Sequence, residues 1–310
     1  MTPREALEVA QRWNARATGL VHLRSGENST WRLALGGRPY VLRLTGESHR
    51  DRAQLEAELA FVDHLSAGGL HVAPALPTAS GERVLDVTGL ASTHERIRAT
   101  VFERLQGRHF AYRSRDIDRP LFHLWGETMA RLHQLSCTFE ARPEARRPEW
   151  PDDPVAGCRM DGVVLDAETR AIREDLLNWM REMSPEPAHY GMVHGDFERT
   201  NFLLHGGSIG LFDFDDCCKH WFIWDIACAL WVFRNATAGE RTRILGWFLE
   251  GYAAVREPDS RRMPHFSEVI RLRTVALLLH RLRRATVLIS AADRDWIART
   301  RAWLHSRWSW

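Results

Sequence analysis

The pattern of apolar and polar positions divides the chain into a β-rich first part and a helical second part. After a short N-terminal helix, residues 20–45 alternate apolar and polar positions around two turn clusters, SGENS and GGRP, as neighbouring strands do. Apolar residues then recur at helical spacing through residues 50–67. Two further strand-like segments, APALPTASGERVLDV and ATVFERLQG, bring this part to an end near residue 105.

The second part favours helices around one short β segment. Its apolar positions predict helices over 122–135, 169–183, 221–233, 240–255 and 266–290. The Pro-, Arg- and acid-rich residues 140–155 predict an exposed loop, and NFLLHGGSIGLFDF predicts a β-hairpin with a Gly-Gly turn. The sequence therefore predicts an α+β protein with two domains, residues 1–105 and 106–310.

Composition narrows the class of protein. The chain has 310 residues and a net charge of only +2, which gives no reason to expect nucleic acid as a partner. Its five cysteines lack CxxC spacing and fit free thiols in a reducing cytoplasm. The apolar stretch TVALLLHRLRRATVLIS is interrupted by charges, so no membrane span is expected. We expect a cytoplasmic monomer or homodimer.

Polar residues flank the predicted hairpin in VHGDFERTNFLLHGGSIGLFDFDD. Asp196 and Asn201 precede its first strand, and acids lie within residues 213–216 after its second strand. Because a hairpin brings its ends together, these oxygen-bearing side chains should converge, and such oxygens suit Mg²⁺. Arg199 is the only basic residue in the segment, so a metal with nucleotide phosphates is expected to supply the missing positive charge.

The spacing of these residues follows the kinase template. Asn201 comes five residues after Asp196, and Asp213 comes twelve residues after Asn201, in the order base, metal ligand, metal ligand. With these residues the sequence resembles the aminoglycoside phosphotransferase family, which includes choline-kinase-like and homoserine-kinase-like enzymes. The resemblance covers roughly residues 20–235 and implies a bilobal protein-kinase-like fold with a small β-rich lobe and a larger helical lobe. The matching motifs are HGD at 194–196, FDFDD at 212–216, DIA at 225–227, ENSTWRL, YVLRL, ELAFVDHL and ARLHQL.

The resemblance implies roles for residues of the second part. Asp196 would orient the acceptor hydroxyl and take its proton, Asn201 and Asp213 would hold Mg²⁺, and Asp225 would brace the catalytic loop through backbone hydrogen bonds. Asp215 and Asp216 have two alternative roles: they belong to the metal shell or the acceptor side, or they are a helix cap or loop charges. Trp221 likewise lines the acceptor pocket or packs in the core. The residues expected near the acceptor or behind the loop are His194, Glu198, Asp215, Asp216, Asp225 and Trp221.

The resemblance also implies a nucleotide site in the first part. Arg43 matches the strand lysine that grips the phosphates, because Lys219 is the chain's single lysine, and Glu58 matches its helix partner. The backbone C=O of Glu103 and N–H of Leu105 would read adenine. Within SGENST, the loop expected to cover the phosphates, the candidate residues are Ser25, Asn28 and Ser29.

These assignments predict an ATP- (or GTP-) and Mg²⁺-dependent kinase that phosphorylates a hydroxyl group of a small molecule. Glu198, which replaces a histidine found in many relatives, together with Asp216 and the pair Asp152–Asp153, favours an amine-bearing acceptor such as an aminoglycoside, an amino alcohol or a homoserine-like amino acid. A P-loop NTPase is excluded, because no glycine is followed by lysine. A Ser/Thr protein kinase of the same fold and a catalytically weak pseudokinase remain alternatives.

Overall fold

The computed structural model describes residues 1–92, 95–110, 117–284, 290–306, 308 and 310. The helices are α1 Pro3–Ala10, α2 Arg52–Ala67, α3 Arg119–Ser136, α4 Ala167–Glu182, α5 Ile223–Leu230, α6 Ala238–Ala253, α7 Phe266–Arg284 and α8 Ala291–His305. The strands are β1 Ala17–Ser25, β2 Asn28–Leu35, β3 Arg38–Gly46, β4 Ala75–Leu76, β5 Leu85–Val87, β6 Ile97–Glu103, β7 Tyr190–Val193, β8 Phe202–His205, β9 Ser208–Leu211 and β10 Cys218–Trp221.

One compact unit is built on an antiparallel sheet. It comprises Met1–Arg108, Glu140–Arg147 and Leu203–Asp215. The strand order is β1-β2-β3-β6-β4, and β5 also pairs with β6. Successive residues of a strand face opposite sides, so Leu42 of β3 joins the core with α1 while its neighbour Arg43 faces the other side.

Helix α2 belongs to this unit and packs in an apolar cluster of its own. Asp51 caps its first turn by accepting the backbone N–H of Gln54, and the Gln54 side chain accepts the N–H of Asp51 in return. Leu55 and Leu59 of α2 then pack with Phe102 of β6. The helix predicted from the apolar pattern of residues 50–67 is therefore present. Its buried side carries Glu58 as well as the apolar residues.

The predicted hairpin is present as β8 and β9. It is tied into the first unit because the Leu211 N–H donates to the His71 carbonyl at 2.8 Å and the Ala73 N–H donates to the Leu211 carbonyl at 3.0 Å. The segments Glu140–Arg147 and Leu203–Asp215 thus belong to the same unit as the N-terminal sheet, although they lie far along the chain. The domain ranges 1–105 and 106–310 stay a prediction.

The other compact unit is mainly helical. It comprises His109–Phe139, Pro148–Phe202 and Asp216–Trp310, with α3 to α8 and the two-stranded β7–β10 sheet. Trp125 lies at the centre of its aromatic core, with its ring centroid 4.9 Å from that of Phe202 and 6.0 Å from that of Phe248. Helices α3 and α6 are in close contact at Gly126 of α3. A Cβ at this position would lie 1.9 Å from the Phe248 carbonyl oxygen of α6, so only glycine fits.

Two predictions about the second part of the chain need correction, and one helix of this part is missing from the predictions. The helix predicted over 221–233 begins only at Ile223, because Cys218–Trp221 pairs with β7, and a 3-10 helix, Trp231–Asn235, follows it. The loop over 140–155 is partly buried rather than exposed, because the Trp150 N–H donates to the Lys219 carbonyl at 2.8 Å and Trp150 is 3% exposed. Helix α8 was not predicted.

The remaining predictions about the fold agree with the structure. The mixed α+β class is confirmed, with an antiparallel sheet near the N-terminus and a helical remainder. Helix α7 accounts for the pattern predicted over 266–290, of which residues 285–289 lie outside the described residues. In the part of the chain that is described, every helix is too short or too polar to cross a membrane.

Candidate active site

The loop after β7 is clamped by a buried carboxylate. Asp225, in the first turn of α5, accepts the backbone N–H groups of His194 and Gly195, both at 2.8 Å. His133 Nε2 lies 3.2 Å from the same carboxylate. Burial alone would raise the pKa of Asp225, but the hydrogen bond from His133 and its backbone donors outweigh burial and lower it. An ionised acid therefore holds two consecutive peptide groups of the HGD loop.

Gly195 allows the loop to pass close to its neighbour. Its φ of +82° lies in the left-handed region, and a Cβ there would lie 2.0 Å from the Asp216 carbonyl oxygen. His194 is fully buried, with its ring centroid 5.5 Å from that of Phe197. The loop conformation thus requires glycine both for its backbone angle and for space.

Both carboxylate oxygens of Asp196 are engaged. Asn201 Nδ2 donates to Asp196 Oδ2 at 2.9 Å and also to the Asp196 carbonyl at 2.8 Å. Arg273 of α7 donates from Nη2 to Asp196 Oδ1. Since the hydrogen bonds of the Asn201 amide use Nδ2, its Oδ1 is left as an oxygen that can bind a metal.

Arg273 belongs to none of the sequence motifs. Burial in the structure identifies it, because this arginine lies inside a nearly continuous buried run of α7 that extends from Val269 to Leu279. A charged residue in such a run needs a partner, and the partner is Asp196.

The expected acceptor-side residues differ in environment. Burial and the charge of Asp196 raise the pKa of Glu198, whose carboxylate accepts the Thr200 hydroxyl at 2.5 Å. Asp216 is half-buried. Trp221 is 3% exposed, and its ring centroid lies 5.0 Å from that of Tyr190, within the packing of the β7–β10 sheet.

In the first unit, Arg43 and Glu58 form a buried two-pronged ion pair. Arg43 Nη1 and Nη2 donate to the two Glu58 carboxylate oxygens at 2.8 and 2.7 Å, and the side chains are 6% and 1% exposed. Burial would lower the pKa of Arg43, but the charges of Glu58 and Asp215 raise it instead. Arg43 Nε makes no hydrogen bond within the described residues.

Asp215 lies in a cluster of donors. Its Oδ2 is 2.6 Å from His49 Nε2 and accepts Asn28 Nδ2 at 2.9 Å, while its Oδ1 is 3.9 Å from Arg43 Nη1 and has no hydrogen-bond partner in the described part of the chain. Burial favours a raised pKa, yet the His49 hydrogen bond and the Arg43 charge hold the pKa of Asp215 well below its usual range. His49 belongs to no motif and was not among the predicted site residues.

Asp213 is strained and electrostatically crowded. Its φ is +65°, a backbone region that costs an L-residue about 1–2 kcal/mol. Burial and the charge of Asp215 raise the pKa of Asp213 to about 6, and Arg24 Nη1 is 3.9 Å away. Backbone strain of this kind is typical of functional positions.

The loop predicted to cover phosphates is the β1–β2 turn, where three polar side chains already have partners. Thr45 Oγ1 donates to Asn28 Oδ1 at 2.7 Å, and Trp31 Nε1 donates to Ser29 Oγ at 2.9 Å. Ser25 Oγ lies 2.9 Å from His22 Nε2.

The predicted adenine-reading segment follows β6. The Glu103 N–H donates to the Pro74 carbonyl at 2.9 Å. The Leu105 N–H has no hydrogen-bond partner among the described residues, so a backbone donor is available two residues after the strand ends.

The oxygen donors suit a hard cation such as Mg²⁺. Asn201 Oδ1, the Asp213 carboxylate and the unpartnered Asp215 Oδ1 are of the type that Mg²⁺ prefers. Among the described residues, no three His, Cys, Asp or Glu side chains form a group that could hold a metal ion. Asn201 belongs to the second unit and the two acids to the first, and their convergence stays a prediction.

Comparison with known proteins gives a consistent result. A model of the phosphotransferase enzyme family matches residues 20–258. Amicoumacin kinase of Bacillus subtilis (strain 168) is 26% identical over 287 residues, which are 89% of this chain and 84% of that protein. The solved structure of an amicoumacin kinase in complex with AMP-PNP, Ca²⁺ and Ami has a TM-score of 0.86 at 23% identity and covers 98% of this chain and 93% of its own. A microcompartment-associated aminopropanol kinase has a TM-score of 0.76 at 20% identity, covering 97% and 94%.

The family model covers most of the chain, and the two solved structures share its fold over nearly its whole length. The predicted kinase-like fold is therefore confirmed. The chain belongs to the phosphotransferase enzyme family, as a small-molecule kinase whose acceptor is an alcohol group.

Proposed function

We propose that this phosphotransferase transfers the γ-phosphoryl group of ATP to a hydroxyl group of an amine-bearing small molecule. The observation that carries the proposal is the Asp196 carboxylate, which is held at both oxygens in a loop clamped by Asp225. In the transfer, the acceptor O–H bond breaks and its proton goes to Asp196. The acceptor oxygen bonds to the γ-phosphorus, and the bond to the bridging oxygen breaks with its electron pair leaving on ADP.

The first unit supplies groups suited to ATP. The Arg43 guanidinium has an unpartnered Nε, and its Glu58 pair fixes its direction toward one side of β3. The available Leu105 N–H suits an adenine acceptor nitrogen. We propose Asn201 and Asp213 as Mg²⁺ ligands, and a bound Mg²⁺ would neutralise charge on the phosphate oxygens. The AMP-PNP in the related amicoumacin kinase favours adenine over guanine.

An amine-bearing acceptor fits the carboxylates near Asp196. The raised pKa of Glu198 reflects burial and the neighbouring Asp196 charge, and a cationic amine would relieve that crowding. The aminopropanol kinase of the same fold also points to an amine-bearing alcohol. Asp153 gives no such support, because it is fully buried and accepts the N–H groups of Val155 and Ala156.

The test is a phosphate-transfer screen with Mg²⁺–ATP, read by ADP release and by mass spectrometry of the product. The panel contains amicoumacin, 1-amino-2-propanol, choline, homoserine and aminoglycosides, with matched compounds that lack the amine, such as 1,2-propanediol and 4-hydroxybutyrate. We expect one amine-bearing alcohol to be phosphorylated, its amine-free match to react far more slowly, and Asp196→Asn to form product about 10²–10⁴-fold more slowly than the unaltered protein. Transfer to generic protein substrates alone would support a protein kinase, and ATP binding without any transfer would support a pseudokinase.

A further inference from the structure

Arg273 is a buried arginine, and the hydrogen bond that its guanidinium makes in the described part of the chain goes to the side chain of Asp196. Its side chain is 4% exposed, and Nη2 donates to Asp196 Oδ1. Asn201 Nδ2 donates to the other carboxylate oxygen at 2.9 Å. The carboxylate is thus held from two sides, by a residue of α7 and by a residue five positions further along its own loop.

The other donors of Arg273 are left unsatisfied. Nε and Nη1 make no hydrogen bond within the described residues, although both atoms are buried. The guanidinium carbon lies 5.8 Å from the centroid of the Trp224 ring, and the charges of Asp196, Glu198 and Asp216 act on the guanidinium. Burying a guanidinium with two unmet donors is unfavourable, and an apolar side chain would fill this position in α7 at lower free energy. Packing alone therefore does not account for an arginine here.

We propose that Arg273 is a positioning residue, which fixes the orientation of the Asp196 carboxylate for the acceptor hydroxyl. The proposal rests on the phosphotransferase function proposed above. Each carboxylate oxygen has two lone pairs, so one hydrogen bond to each oxygen prevents rotation and leaves a lone pair for the hydroxyl proton. Without Arg273 the Asp196 side chain would keep one restraint, from Asn201, and would sample orientations that do not face the acceptor.

The first test is a double-mutant cycle on turnover of Mg²⁺–ATP, with water as the acceptor. The variants are Arg273→Gln, Arg273→Lys, Asp196→Asn and the combination of Arg273→Gln with Asp196→Asn. Arg281→Gln is the matched control, since Arg281 lies on the same helix and its guanidinium pairs with Asp293 instead.

We expect Arg273→Gln to lower kcat by about 10–10²-fold while the KM for ATP changes by less than about twofold, because only the orientation of the carboxylate is lost. Arg273→Lys should recover part of kcat through its single ammonium donor. In the Asp196→Asn background, Arg273→Gln should have almost no further effect, since it acts through a carboxylate that is already absent. Losses that multiply in the double variant, or a raised KM for ATP with unchanged kcat, would overturn the proposal.

The second test does not depend on activity. Urea unfolding of the same proteins should show that Arg273→Gln destabilises the fold, and that adding Asp196→Asn restores part of the loss by removing the uncompensated carboxylate. If the double variant is no more stable than Arg273→Gln, Arg273 does not hold Asp196 and the inference fails. Absence of phosphate transfer to every acceptor of the screen, water included, would instead count against the proposed function. The unfolding cycle would still show whether Arg273 holds Asp196.

Discussion

At the scale of single residues, the Arg43–Glu58 pair combines a structural and a proposed chemical role. We expect Arg43→Ala to destabilise the protein by about 3–5 kcal/mol, because it leaves the Glu58 carboxylate buried without a partner. It should also raise the KM for ATP and lower kcat. Urea unfolding and steady-state kinetics measure the two effects separately.

Further variants separate these two roles of Arg43. Arg43→Lys keeps a charge beside Glu58 but loses the two-pronged geometry, so it should recover most of the stability and only part of the activity. Glu58→Gln should give a milder kinetic defect. Arg32→Ala, on the exposed side of the neighbouring strand β2, is the control and should change neither quantity. Full activity of Arg43→Ala would show that the phosphates are held without this guanidinium.

Asp196→Asn tests the proposed general base. The substitution keeps the size of the side chain and an oxygen for the Asn201 amide, but removes the lone pair and charge that accept a proton. We expect kcat to fall by about 10²–10⁴-fold with ATP affinity nearly unchanged. Asp175→Asn, at an exposed acid of the same unit that has no proposed role, is the control. Loss of ATP affinity together with kcat would indicate a structural residue.

Residues were predictable where local sequence order carries the chemistry. Asp196, Asn201 and Asp213 follow a fixed spacing around a hairpin, so a single sequence reveals them. Arg273 and His49 were not predictable in the same way, because their partners Asp196 and Asp215 lie 77 and 166 residues away in the chain. In a chain with so many arginines, only the three-dimensional packing of α7 distinguishes Arg273 from its neighbours.

At the scale of elements, the HGD loop depends on one glycine. Gly195→Ala places a Cβ 2.0 Å from the Asp216 carbonyl oxygen at a φ of +82°. We expect a loss of stability well above 1 kcal/mol and a strong loss of turnover, since the loop that carries Asp196 must move. Gly207→Ala is the matched control, because its φ is +80° and nothing lies within 4 Å of the added Cβ. It should show only the backbone strain, about 1 kcal/mol. Equal losses in the two variants would show that the close contact is unimportant.

Strand β10 contains a buried histidine, His220, that should make the free energy of unfolding depend on pH. His220 is fully buried beside Trp224, and burial lowers its pKa from 6.5 to about 3. The unfolded chain therefore takes up a proton as the pH falls below about 6.5 while the folded protein does not, so stability is lost as the pH falls. Between pH 7.5 and 5 this contribution is about 2 kcal/mol.

His220→Asn should remove that part of the pH dependence. Asparagine does not titrate at this position, and the other groups contribute equally to both proteins, so the difference between them isolates His220. Urea unfolding at pH 7.5 and pH 5 measures it, with the exposed His205→Asn on the β8–β9 hairpin as the control. An unchanged slope in His220→Asn would contradict a neutral, buried His220.

Element predictions failed where pairing depends on distant residues. Apolar periodicity located α2, α3, α4, α6 and the hairpin to within a few residues. The segment Cys218–Trp221 is too short and too mixed in polarity to show a strand pattern, and only its ladder with Tyr190–Val193 makes it a strand. A local pattern contains no information about that partner.

At the scale of the whole molecule, the two compact units do not correspond to two continuous stretches of chain. The segments Glu140–Arg147 and Leu203–Asp215 belong to the same compact unit as the N-terminal sheet, although more than thirty residues separate them from it along the chain. Composition and periodicity describe neighbours in sequence, so they predicted an α+β class but not this membership. The kinase-like fold was predicted from the resemblance to the aminoglycoside phosphotransferase family, because local patterns alone do not distinguish it from other α+β folds.

Metal-dependent nucleotide binding is a property of the whole protein that Asp213 is proposed to control. A ligand at 100 times its Kd stabilises the folded state by about 2.7 kcal/mol, which for a chain of this length raises the Tm by roughly 4 °C. We expect AMP-PNP with Mg²⁺ to give such a shift, and AMP-PNP with EDTA to give a much smaller one. Asp213→Ala should lose the Mg²⁺-dependent part. Asp213→Asn should lose it too while retaining the left-handed backbone that asparagine tolerates. Asp63→Ala, an exposed acid of α2, should keep the full shift. An undiminished Mg²⁺ effect in both Asp213 variants would exclude Asp213 as a metal ligand.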